Sequence, residues 1–204
     1  AIVYEKYGSP DVLELKEIEK PTPKDDEVLV RIHAASVNAL DWHYVRGMPL
    51  IARMGLGLGK PKESRIGADF SGQIEAVGKD VAEFKPGDEV FGARTGAFAE
   101  YVGKFEKTFA MKPVNLSFEE AAAVPVAACT ALQGLRDAGQ IQAGQKVLIN
   151  GAAGGVGTFA VQIAKAFDAE VTAVCSTRNV EMVRSLGADY VIDYSKDDFA
   201  QTIQ

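Results

Sequence analysis

One short turn constrains this chain more than any other feature. Gly151-Ala-Ala-Gly154-Gly155-Val-Gly157 follows the apolar run Lys146-Val-Leu-Ile-Asn150 and opens Val156 to Phe167, whose apolar residues recur at helical spacing. Glycines at such a place let the backbone turn tightly, approach a pyrophosphate and pack the helix on the sheet. The helix start then aims free N–H groups and the positive end of its dipole at the phosphates. Glycine-rich turns alone are common, and the G-x-G-x-x-G spacing is not met letter for letter, because Ala152 stands where its first glycine would. The order strand, glycine turn, helix is what points to a dinucleotide, with Ala153, Gly154, Gly155, Val156 and Gly157 as its backbone cradle.

The pattern continues past the turn. Glu170-Val-Thr-Ala-Val-Cys175 reads as a second strand, Val180 to Leu186 as a second helix closed by Gly187, and Tyr190-Val-Ile-Asp193 as a third strand. That is the first βαβαβ half of a doubly wound parallel sheet. Upstream the style differs. Val28 to Ala35 and Phe70 to Val77 are β-branched, apolar runs between Gly- and Pro-bearing turns, the spacing of a small barrel. Ser117-Phe-Glu-Glu120 has the form of a helix N-terminal capping box, and the Ala-rich run after it reads as two helical pieces hinged at Pro125 and extending to Ala138. The expected organisation is therefore a β domain over 1–115 and an incomplete dinucleotide domain over 116–204, part of a longer enzyme.

Composition removes several classes. A net charge of −6 and a pI near 5.1 offer no basic field for nucleic acid. The longest apolar stretch, Ala121 to Cys129, contains Pro125 and falls well short of the roughly 20 residues a membrane helix needs. Charges at Glu5 and Lys6 interrupt the place of a signal-peptide core. The expectation is a cytoplasmic protein with no nucleic-acid or membrane partner. Cys129 and Cys175 lie inside apolar segments and read as buried free thiols.

The end of the second strand bears on cofactor choice. NAD sites place Asp or Glu there for the ribose hydroxyls, about 20 residues after the glycines. Here Cys175 is followed by Ser176, Thr177 and Arg178 with no acid. Two hydroxyls and a guanidinium suit the 2′-phosphate of NADPH, unless Arg178 is simply a solvated residue at the next helix start.

Gly144-Gln-Lys-Val-Leu-Ile-Asn-Gly-Ala-Ala-Gly154-Gly155-Val-Gly157, continuing to Gln162-Ile-Ala-Lys165, resembles the signature of the quinone oxidoreductase (zeta-crystallin) branch of the medium-chain dehydrogenase/reductases. Tyr7-Gly-Ser-Pro-Asp-Val-Leu13, Val37-Asn38 with Asp41, Phe84-Lys-Pro-Gly-Asp-Glu-Val-Phe91 and Ser185-Leu-Gly-Ala-Asp189 match it too. The resemblance implies an α/β chain with a GroES-like β-barrel domain, then a Rossmann domain, partial here, with cofactor between them. It implies a small-molecule acceptor, and leaves a homodimer open for the full-length protein. Zinc-dependent members of the superfamily carry Cys, His and Cys where this chain has Asn38, Ala68 and about Val126, and the four-Cys structural loop is missing between Phe91 and Tyr101. The expectation is a zinc-free oxidoreductase using NADPH on quinones or activated α,β-unsaturated carbonyls, acceptors that need no Lewis acid. The alternative is a non-catalytic, crystallin-like NADPH binder.

The resemblance also nominates side chains. Asn38 contacts the nicotinamide or the acceptor, or is a turn residue bonding its own backbone. Asp41 orients His43, or caps the helix that begins there. His43 donates a proton to the reduced acceptor, an imidazole being suited to that near neutral pH, or is structural. Thr130 aligns with a family Thr beside the nicotinamide and Tyr194 with a Tyr near the adenosine phosphate. The long glycine-punctuated stretch from Pro49 to Lys62 reads as one wall of a pocket for a bulky apolar acceptor, or as a helix and turn packed on the barrel.

Overall fold

The structure, a computed structural model, describes residues 1–197. Its backbone falls into two compact units, Ala1–Val126 and Ala127 onward.

The first unit is β-rich. β1 (Ile2–Val3) pairs antiparallel with β2 (Glu14–Leu15). β3 (Glu27–Ser36) is followed by α1 (Ala39–Arg46) and α2 (Arg53–Leu56), then β4 (Asp69–Val77), β5 (Glu89–Ala93), β6 (Tyr101–Phe105) and β7 (Phe109–Met111). The last five strands form one antiparallel sheet in the order β6-β3-β4-β5-β7, the β domain that the sequence suggests. Val28, Val30, Phe70, Ile74, Val90 and Val102 fill its core, and Phe70 meets Phe109 edge-on with ring centroids 5.5 Å apart. The β3–β4 register sets Ser36 opposite Asp69, which places the start of α1 beside the start of β4.

α3 (Phe118–Ala122) carries the expected capping box: Glu120 N–H donates to Ser117 Oγ at 3.1 Å and Ser117 N–H to Glu120 Oε2 at 2.8 Å. The division between units falls after Val126, later than the change of sequence style at 115. The reason is that this stretch bonds to the sheet: Ser71 Oγ donates to Phe118 O at 2.5 Å, and Val126 N–H to Asp69. α4 (Pro125–Leu132) gives way to a π-helical turn over Gln133–Ala138, where the sequence suggests continuous helix. The wider turn is closed by Gly139 N–H donating to Gly134 O at 2.9 Å.

The second unit holds β8 (Lys146–Asn150), α5 (Gly155–Ala166), β9 (Glu170–Cys175), α6 (Val180–Ser185) and β10 (Tyr190–Asp193). The strands are parallel in the order β10-β9-β8, as the alternation of strand and helix signals requires. Val161, Ala164, Val171, Ala173 and Val183 pack between sheet and helices. Lys165 at the end of α5 donates to Ala169 O at 3.0 Å and to Asp189 at 2.7 Å, and Asp189 also accepts from Val171 N–H at 2.7 Å. Cys175 is buried, but Cys129 is exposed, contrary to expectation. α4 is so uniformly small and apolar that its sequence dictates no buried face; Ala127 and Ala131 turn inward and Cys129 does not.

Candidate functional site

In the second unit, the carboxyl ends of three parallel strands deliver Asn150, Cys175 and Asp193 to one edge, the edge where open parallel sheets bind ligands. Gly151 turns the chain there with φ +73, a conformation that favours glycine. A Cβ on Gly157 would run into the Gly151 carbonyl oxygen and the Ala152 backbone, so only glycine lets α5 close onto the turn. Gly154 caps α5, and the first N–H groups of the helix have no intrahelical partner. A cavity of about 430 Å³ lies against this turn, lined by Thr130, Gly134, Leu135, Gly154, Val156 and Gly157 among others. The structure thus brings Thr130 to the glycine turn, and adds Gly134 and Leu135, which sequence reasoning missed. A glycine inside the Ala-rich helical run was the available signal, and a Cβ there would meet nothing within 4 Å.

Ser176, Thr177 and Arg178 follow β9 at the same sheet edge, and Tyr194, exposed, follows β10 with its N–H donating to Cys175 O at 3.1 Å. Arg178 is exposed and makes no ion pair among the described residues. Thr177 differs from expectation: its hydroxyl donates to Asp193. Ser176 Oγ accepts from Asn179 Nδ2 at 3.1 Å. The Thr177 hydrogen bond holds the Asp193 carboxyl below its ordinary value, with Ser195 and Lys196 helping. Of the three residues nominated for a 2′-phosphate, Ser176 and Arg178 retain the freer donors. Asp193 escaped notice because the β9–β10 pairing, not sequence proximity, sets it beside Thr177.

In the first unit, Asn38 is the N-cap of α1. Its N–H donates to Asp41 Oδ2 at 2.8 Å, and its Nδ2 donates to Asp69 Oδ2 at 3.1 Å. Asp69, fully buried, also accepts from Val126 N–H at 3.1 Å and Ser36 Oγ at 3.4 Å. Asp41 is buried and its Oδ1 has no partner among the described residues. Burial pushes both carboxyls up, the hydrogen bonds opposing it, and the charge of Asp69 adds to the rise at Asp41.

Asp41 does not orient His43. The two stand two apart on α1, so they do not share a helix face, and the His43 Nδ1–H donates instead to Met48 O at 3.0 Å. That bond leaves Nε2 open on an exposed ring, set edge-on to Trp42 at 4.9 Å. His33 stacks on Phe118 at 4.4 Å, a packing role. The Asn38–Asp69 bond and the Val126–Asp69 bond join two of the three positions at which the resemblance would put the ligands of a zinc-dependent member. Asp69 was legible only as a lone acid opening an apolar strand.

Residues 24–134 match the family described as alcohol dehydrogenase GroES-like domain, and residues 155–204 the family described as zinc-binding dehydrogenase. The chain is 40% identical to the chloroplastic quinone-oxidoreductase homolog of Spinacia oleracea, over 98% of this chain and 62% of that protein. It is 37% identical to the chloroplastic NADPH-dependent alkenal/one oxidoreductase of Arabidopsis thaliana, over 97% of this chain and 53% of that protein. The solved quinone oxidoreductase of Coxiella burnetii superposes with a TM-score of 0.88 at 35% identity, covering 100% of this chain and 65% of its own. The chain therefore spans between about half and two thirds of the length of these relatives.

Proposed function

Because the chain belongs to the quinone oxidoreductase branch of the medium-chain dehydrogenase/reductases, we propose that it serves an NADPH-dependent, metal-free reduction of quinones or α,β-unsaturated carbonyls. The observation that carries the reading is the glycine cradle, where Gly157 lets α5 close onto the Gly151 turn and a cavity of about 430 Å³ reaches from that turn to Thr130.

The bound nicotinamide supplies a hydride. The residues of the chain do the rest. The free N–H groups of α5 hold the pyrophosphate, and Ser176 and Arg178 hold the 2′-phosphate. Thr130 borders the cavity. His43 Nε2, left open by the Nδ1–H bond to Met48, carries the proton for the reduced acceptor. Asn38, Ala68 and Val126 offer no thiolate or imidazole, and the Asp69 carboxylate between them is already bonded by three donors, which favours acceptors that are electron-poor without a Lewis acid.

Titration of the full-length protein with NADPH and NADH, followed by turnover on a panel of quinones and enones, tests this. Tighter NADPH binding and NADPH consumption are expected. Binding without turnover of any acceptor would favour a non-catalytic, crystallin-like role, and no binding at all would defeat both.

A further inference from the structure

An apolar and cationic outcrop begins beside His43 and runs through the stretch that the sequence offers as a pocket wall or as a helix and turn packed on the barrel. From Trp42 to Lys62 the chain contains no acidic residue, yet it carries Arg46, Arg53, Lys60 and Lys62 in a protein of net charge −6. The same stretch turns large apolar side chains to solvent: Leu50 is 63% exposed, Ile51 74%, Met54 72% and Leu58 76%. Single exposed apolar residues are ordinary, whereas a cluster marks an interaction surface.

The segment is held in this form. Arg53 donates to Gly47 O at 3.0 Å and Arg46 O at 3.3 Å, its guanidinium lies 4.4 Å from the Tyr7 ring, and the Tyr7 hydroxyl donates to Gly57 O at 2.7 Å. Both ends of the bend are therefore pinned, and the aliphatic side chains between them face outward as a consequence. The flanking acids pair with other cations, Glu5 with Lys16 at 2.9 Å and Glu63 with Arg65 at 3.0 Å, and Lys60 acts on Glu5 only through its more distant charge. Arg46, Lys60 and Lys62 are exposed and form no ion pair among the described residues.

We propose that residues 46–62 dock on the surface of an anionic phospholipid bilayer, the aliphatic side chains entering the acyl boundary and the cations meeting lipid phosphates. Apolar side chains alone would suit a second copy of this chain equally well. The unpaired cations decide against it, because a symmetric dimer through this face would set like charges against each other. No described helix is long and apolar enough to cross a membrane, and surface docking needs none. His43, tied to Met48 at the base of the outcrop, would stand beside the boundary where apolar acceptors dissolve. The docking goes beyond the proposed reaction and does not depend on it.

Sedimentation of the full-length protein with phosphatidylcholine vesicles, and with vesicles in which about one third of the lipid is phosphatidylglycerol, tests the proposal. Binding to the anionic vesicles, weakened by salt, is expected, with little binding to the neutral ones. Lys60→Ala/Lys62→Ala should weaken it roughly 25-fold, about fivefold per charge. Leu50→Ser/Ile51→Ser should weaken it more than about tenfold with the melting temperature unchanged, since both side chains are exposed. Absence of binding to anionic vesicles at low salt, equal binding to both compositions, or full binding by both double variants would each overturn the proposal. So would a dimer that Leu50→Ser/Ile51→Ser splits without changing sedimentation, which would assign the face to a second copy.

Discussion

Asn38, two residues past the end of β3, and Asp69, at the start of β4, lie at the same end of the pairing that sets Ser36 across from Asp69, and are joined by an Nδ2–H···Oδ2 bond of 3.1 Å. Asp41 lies on the other side of Asn38, accepting its backbone N–H at 2.8 Å, so one residue is gripped by two buried carboxyls.

Burial raises Asp41 above the ordinary carboxylate range and Asp69 adds to the rise. The folded carboxyl then holds its proton more tightly than the unfolded one. Its contribution to stability is fully present below the ordinary value and is lost as pH rises through the folded value. Asp41→Asn, which keeps an oxygen for the Asn38 N–H, should flatten the fall in unfolding free energy as pH rises above the ordinary carboxylate value of about 4. Urea titrations above that value check it; a wild-type slope unchanged in the variant would refute the assignment.

Gly157→Ala forces a Cβ against the Gly151 carbonyl and the Ala152 backbone. The expected cost is about 2–3 kcal/mol together with loss of NADPH binding. Gly155→Ala meets nothing within 4 Å and should leave stability nearly unchanged. Denaturation and cofactor titration on the pair separate the cradle argument from a general intolerance of the loop.

Arg178→Ala should weaken NADPH by about 1.5–3 kcal/mol, the scale of a charge-assisted hydrogen bond, and leave NADH nearly unaffected. Equal weakening of both cofactors would make Arg178 a structural residue. Thr177→Val is expected to act mainly on stability, because its hydroxyl is bonded to Asp193.

His43→Gln should lower kcat by about 100-fold, within the span of general acid catalysis, with cofactor affinity unchanged. A kcat near wild type would leave His43 only its bond to Met48.

Metal analysis of the purified full-length protein should find no stoichiometric zinc, and chelator should leave turnover intact, given Asn38, Ala68 and Val126 in place of ligands. One tightly held zinc per chain would overturn that reading.

The fold was legible wherever a local signal sets the structure. Glu170–Cys175 and Tyr190–Asp193 form the strands their β-branched runs suggest, and the Ser117–Glu120 box starts α3. What was not legible is set by pairing across distance. Asp69 meets Asn38 through the β3–β4 register, and Asp193 meets Thr177 through the β9–β10 register, relations no spacing in the sequence encodes. Cys129 and the π-turn after Leu132 belong to a segment of small apolar residues, where pattern carries little information about facing.

Lys165 and Asp189 act at the far end of the second sheet from the glycine turn. Their pair ties the C-terminus of α5 to Ala169 at the entry of β9, while Asp189 grips Val171 just before β10 begins. Parallel strands are stiff rulers of fixed rise per residue. Locking where β9 and β10 start therefore also fixes where they end, so Cys175 and Asp193 arrive level at the opposite rim. The rim is aligned before any ligand reaches it, and little ordering entropy is left for binding to supply.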